Sequence, residues 1–180
     1  MIYFTSDTHF GHRSIIDYVN RPFKTVEEMD QTILDNINKT VSPSDILYIL
    51  GDFTCGGSYS KCMKYRSKIH CENIHLILGN HDRRFIYSDK ESPFESEKDY
   101  YEIHDHKFLF CLSHYPMLSW HGRDRGSIML HGHIHSNKRS NEINKWQGIK
   151  RYDVGVDAND YTPVSIASLE YWIEYFWNRN

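Results

Sequence analysis

The chain has 180 residues, 39% hydrophobic and 14% aromatic, which is enough apolar material for a buried core and too much for a disordered chain. Its formal net charge of -3 excludes a global attraction to nucleic acid or to an anionic membrane, while leaving room for a local basic patch. No apolar run approaches the roughly 20 residues that span a bilayer. The start of the chain lacks the basic flank and long apolar stretch of a signal peptide. One cytoplasmic domain over residues 1–180, with no membrane partner, is therefore expected.

Taken in chain order, Ile2 to Ser6 reads as a short buried strand. Thr25-Val26-Glu27-Glu28 is a capping box, and Val26, Met29, Ile33 and Ile37 follow helical spacing, so a helix is predicted to about Lys39. Ser42-Pro43-Ser44 is a turn, and Ile46 to Leu50 is an apolar strand. A helix is expected over 58–68, a strand over 74–78, and an exposed polar loop over 89–98. Strands follow at 107–112 and 127–130, then a polar loop over 137–149 and a late strand over 152–156. Leu169 to Trp177 reads as an aromatic-rich helix capped by Ser168. Its aromatic face is read as packing, with a homo-oligomer contact as the alternative. Alternating strands and helices, with several strands apolar throughout, predict an α/β layered fold with covered sheets.

Polar clusters follow the carboxyl ends of these strands. They are Asp7-Thr8-His9, Gly51-Asp52, Gly79-Asn80-His81-Asp82, Ser113-His114 and His131-Gly132-His133-Ile134-His135. Ligands of α/β sheets gather outside the carboxyl ends of strands, so the five clusters converge if their strands are neighbours. Carboxylate, imidazole and amide oxygen suit Mn, Fe, Zn or Ni. An extended Gly-His-x-His would send His133 and His135 to one face. His131 shares that parity, but a supporting role is expected for it. The four cysteines show no Cys-x-x-Cys pair and are read as reduced thiols.

The order Asp-x-His, Gly-Asp, Gly-Asn-His-Asp, isolated His, Gly-His-x-His resembles the calcineurin-like metallophosphoesterases from Asp7 to His135. Gly155-Val156-Asp157 and Pro163-Val164-Ser165 are similar to the tail of small bacterial and phage members. The resemblance implies a four-layer α/β/β/α sandwich with two mixed sheets face to face. It implies two divalent transition-metal ions, Mn favoured over Fe, Zn or Ni. Asp7, His9, Asp52 and His135 would hold one ion, and Asp52, Asn80, His114 and His133 the other. His81 would act as the acid, with Asp82 orienting it.

The expected function is a phosphodiesterase that draws its hydroxide nucleophile from metal-bound water. A phosphomonoesterase or nucleotide pyrophosphohydrolase is the alternative, and the substrate is a small phosphoester or nucleotide. A nuclease is disfavoured by the short, net-acidic chain. A non-catalytic scaffold, as in the retromer subunit of this fold, is disfavoured because every site position is intact. Substrate contacts are expected from His12, Arg13, Arg83 and Arg123.

Overall fold

The computed structural model describes residues 1–56, 58–82, 91–105 and 108–177, with side chains given to residue 174. Among the described residues nine strands form two mixed sheets. In the first, β1 (Ile2–Thr5), β2 (Ile46–Ile49), β3 (Asn73–Ile77) and β4 (Ser96–Lys98) run parallel, and β9 (Val164–Ser165) pairs antiparallel with β1. The spatial order is β4-β3-β2-β1-β9. In the second sheet β6 (Phe108–Ser113), β7 (Ile128–His131) and β8 (Arg151–Asp153) are parallel, with β5 (Tyr100–Asp105) antiparallel at the edge. Ser6 and Gly155 form an isolated bridge that joins the segments following β1 and β8.

Side-chain parity divides the core. Leu47, Ile49, Ile74 and Leu76 point to one face of the first sheet. There they pack on α1 (Arg13–Tyr18), α2 (Val26–Thr40) and α3 (Tyr59–Arg66). Phe4, Tyr48, Leu50 and Ile77 point the other way, against Phe110, Leu112, Ile128 and Leu130 of the second sheet. Leu169, Trp172 and Ile173 of α5 (Ile166–Trp177) close that inter-sheet core. Each such fully buried side chain contributes about 1.5–3 kcal/mol relative to exposure. With α4 (Lys138–Trp146) against β8, the order is the four-layer α/β/β/α sandwich.

Helix α2 starts where its capping box places it. Thr25 Oγ1 accepts from the Glu28 amide at 3.1 Å, and the Glu28 carboxylate accepts from the Lys24 amide at 2.8 Å. Other expectations are corrected. Residues 138–146 are helical, because Asn141 is buried and bonds both backbone groups of Asp153 on β8, an anchor that hydrophobic spacing does not reveal. Ser96–Lys98 is an edge strand paired with β3 rather than loop. Helix α5 begins at Ile166, and Ser165 rather than Ser168 accepts at its start, from the Ser168 amide at 3.1 Å. Strand β8 ends at Asp153, and Val156–Ala158 is a short 3-10 turn. No disulfide joins the four cysteines. Among the described residues no helix is long and apolar enough to cross a membrane.

Candidate metal centre

Parallel β1, β2 and β3 share a carboxyl edge, which sets Asp7 and His9, Asp52, and Asn80 and His81 side by side. Parallel β6 and β7 bring His114 and the 131–135 segment to the same place from the second sheet. Asp52 lies at the middle. Its Oδ2 is 3.5 Å from His9 Nε2, 3.6 Å from His114 Nε2 and 3.9 Å from His81 Nε2. Among the described residues three groups of donor atoms lie close enough together to hold an ion: Asp7, His9 and His135; His9, Asp52 and His81; and Asp52, His114 and His133.

The backbone carries the cost of this convergence. Asp7, His9, Asp52, His133 and His135 have φ of 57°, 49°, 54°, 72° and 45°. Left-handed non-glycine residues are uncommon, cost on the order of 1–3 kcal/mol each, and gather at functional sites. The Gly-His-x-His segment is therefore not extended as expected. His133 and His135 reach different donor groups through two separate left-handed residues.

Hydrogen bonds fix which ring nitrogens face inward. His114 Nδ1 lies 2.8 Å from the Leu50 carbonyl, which only accepts, so Nδ1 carries the proton and Nε2 presents a lone pair. Around that lone pair stand Asn80 Oδ1 at 3.2 Å, His133 Nδ1 at 3.2 Å and Asp52 Oδ2 at 3.6 Å. His135 Nδ1 donates to Asp157 Oδ2 at 2.8 Å, which leaves its Nε2 as the ligand atom. His9 Nε2 is buried with no hydrogen-bond partner. The Asn80 and Asp52 oxygens only accept, so facing the His114 Nε2 lone pair in a buried place is unfavourable unless a cation lies between them. The residues therefore fit a pair of divalent ions.

Burial pushes the Asp7 carboxyl up to about 7, with the charges of Asp153 and Asp52 adding to the rise and His135 opposing it. Burial, helped by the neighbouring cations, holds His9 far below the ordinary imidazole range, so it is a neutral nitrogen donor. Burial also pulls His135 down, but the Asp157 hydrogen bond and the charges of Asp7 and Asp157 carry it above its ordinary value.

Asp82 was expected to orient His81 and does something else. Its carboxylate accepts from the backbone amides of Asp52 at 2.6 Å, Gly79 at 2.9 Å and Phe53 at 3.0 Å. It thus ties the loop after β2 to the loop after β3. His81 Nδ1 instead faces Cys55 Sγ at 3.7 Å, and the His81 amide donates to Asp52 Oδ1 at 2.9 Å. His81 is about one-third exposed, at the opening of the centre. His131 is buried on β7 with Nδ1 3.0 Å from the Gly132 carbonyl, and it joins none of the three donor groups.

Of the expected substrate contacts, His12 lies at the centre, with Nδ1 3.2 Å from His9 Nδ1. Arg13 pairs with Asp17 on the surface at 3.1 Å, and Arg123 stands over the Trp120 ring at 5.7 Å. Arg83 falls outside the described residues. Sequence reasoning assigned no role to Arg21 or to Asp157, which support His135 and the Asp7 turn. Asp157 follows the late strand as the other clusters follow theirs, and that rule would have found it. No local pattern marks Arg21.

The calcineurin-like phosphoesterase family profile matches residues 1–178. An uncharacterized protein of Methanocaldococcus jannaschii is 37% identical over 179 residues, 96% of this chain and 91% of that protein. The gene 66 protein of Mycobacterium phage L5 is 27% identical over 199 residues, covering 87% and 86%. The crystal structure of a protein of unknown function from Aquifex aeolicus aligns with a TM-score of 0.73 at 30% identity, covering 95% of this chain and 98% of that one. With its His and Asp clusters gathered where the carboxyl ends of the two sheets' strands meet, the chain belongs to the calcineurin-like phosphoesterase family and is a metal-dependent phosphoesterase.

Proposed function

We propose that the chain hydrolyses phosphodiesters at a dinuclear centre, with manganese as the favoured metal. Asp7, His9, Asp52 and His135 would hold one ion and Asp52, Asn80, His114 and His133 the other, with Asp52 shared between them. The observation that carries this reading is the cluster in which His9 Nε2 and His114 Nε2 approach Asp52 Oδ2 while Asn80 Oδ1 and His133 Nδ1 stand around His114 Nε2. Two divalent ions supply Lewis acidity and acidify water to a pKa of about 7, so a nucleophile is available at neutral pH.

The chain's own residues do the rest. His114 and His135 present Nε2 because Leu50 and Asp157 take their other nitrogens. His81, at the opening with Nε2 3.9 Å from Asp52 Oδ2, protonates the leaving alkoxide, a contribution of about 10²–10⁴-fold. His12, beside His9 and 6.1 Å ring to ring from His81, contacts a phosphate oxygen. Asp82 holds the Asp52 and His81 loops together rather than tuning the imidazole.

The test compares turnover of bis-nitrophenyl phosphate and nitrophenyl phosphate by the manganese-loaded chain. Faster hydrolysis of the diester is expected, and no turnover of either with metal bound would overturn the enzymatic reading. His81→Ala should keep both ions and lose about 10²–10⁴-fold on an alkyl ester with a poor leaving group. Near wild-type turnover there would remove His81 from the role of acid.

A further inference from the structure

Arg21 is buried, and its guanidinium contacts Met29 Sδ at 3.3 Å and otherwise faces the metal centre's supports. Nε reaches Asp157 Oδ1 at 2.8 Å and Nη2 reaches Asp157 Oδ2 at 2.8 Å, a two-pronged pair across 136 residues of sequence. Nη2 also donates to the Asp7 carbonyl at 2.7 Å, and Nη1 to the Thr8 carbonyl at 3.3 Å. The same Asp157 Oδ2 accepts from His135 Nδ1 at 2.8 Å. One guanidinium–carboxylate pair therefore touches the backbone of the left-handed Asp7 turn and the side chain of His135, two ligands of the same half of the centre. The other half is held by different means. His114 is set by the Leu50 carbonyl, and the loops after β2 and β3 are set by Asp82.

We infer that Arg21 and Asp157 form a buried clamp that sets the occupancy of the Asp7–His9–His135 half of the centre, separately from the Asp52–His114–His133 half. The inference rests on the dinuclear reading above. Its physical basis is twofold. A carboxylate on the far nitrogen of a ligating imidazole fixes the tautomer and raises basicity, and its loss typically costs about 10–100-fold in metal affinity. The guanidinium neutralises that carboxylate and holds two carbonyls of a strained turn, so a point charge without the planar fork does not replace it. Both are positioning residues.

The experiment is a manganese titration of the metal-free full chain, followed by equilibrium dialysis and electron paramagnetic resonance. The wild type should bind two ions and give a spin-coupled spectrum. Asp157→Ala should keep one ion at wild-type affinity and bind the second about 10–100-fold more weakly. It should give an isolated six-line spectrum at one equivalent. Arg21→Lys should weaken the same ion. His135→Ala should leave the same single ion, and adding Asp157→Ala to it should cost that ion nothing more. Asn141→Ala, which removes two buried hydrogen bonds to Asp153 without touching a candidate ligand, controls for lost stability and should keep the coupled pair. If Asp157→Ala does not fold, Asp157→Asn keeps the volume and an acceptor for His135, and the second ion should still bind more weakly. A folded Asp157 variant that holds both ions as tightly as wild type, or loses both equally, overturns the clamp. A wild-type chain that never binds a pair of ions overturns the dinuclear reading as well.

Discussion

Replacing Gly79 with alanine should disable the centre while sparing most of the fold. A Cβ at this position would lie 2.2 Å from Asp52 Oδ1, 2.6 Å from the Asp52 amide nitrogen and 3.0 Å from Asp52 Cγ. Ordinary contact between heavy atoms is about 3.5–4.0 Å, so the carboxylate must retreat by about 1.3 Å. It has no slack, because Oδ1 accepts from the His81 amide and the Asp52 amide is bound to Asp82. Overpacking of this kind costs about 1–3 kcal/mol. Displacing a reacting group by about 1 Å costs on the order of 10²-fold in rate. Gly148→Ala is the comparison. Its φ is also left-handed, at 72°, but a Cβ there meets no atom within 4 Å, so it should cost about 1 kcal/mol and no turnover. Urea unfolding, manganese stoichiometry and kcat on bis-nitrophenyl phosphate would be measured for both variants. A Gly79→Ala chain with two ions and wild-type kcat would refute the claim that backbone closeness at this glycine sets the position of Asp52.

Asp82→Asn should destabilise the metal-free chain by about 1–3 kcal/mol, since the new amide group must face at least one of three backbone N–H donors. Urea melts check this, and an unchanged midpoint would show that the carboxylate does not tie the two loops. Burial, partly offset by the Asp153 charge and the Gly132 hydrogen bond, holds His131 below its ordinary pKa. A depressed imidazole binds fewer protons folded than unfolded, so its stability is present above about pH 6.5 and is lost progressively as pH falls below that. His131→Gln should therefore flatten the acid limb of the metal-free stability curve below about pH 6.5. An acid limb as steep as wild type would remove His131 from the account.

The positions of the site residues were legible because one physical rule governs them. Parallel strands present their carboxyl ends on a common edge, so Asp7, Asp52 and Asn80 had to meet once β1, β2 and β3 were neighbours. What the sequence could not yield was the backbone conformation that aims them. Gly-His-x-His reads as extended by alternation, yet His133 and His135 are left-handed, a choice stabilised by contacts to Asp7 and Asp157 from distant parts of the chain. The role of Asp82 was missed for a related reason. Adjacency to His81 suggested a side-chain partner, whereas the buried backbone amides of Asp52, Phe53 and Gly79 needed an acceptor and took it. Helix α4 escaped notice because Ile143 and Trp146 are exposed and polar side chains, Asn141 and Asn144, attach it to β8, so no apolar stripe exists to be read.

The central claim is that Asp52 joins two metal positions into one centre, and counting ions tests it most directly. Metal analysis of the purified, manganese-reconstituted chain, with its paramagnetic resonance spectrum, should give two coupled ions per wild-type chain and none held tightly by Asp52→Ala. A wild-type chain that never exceeds one ion, or an Asp52→Ala chain that still holds a coupled pair, would contradict the account.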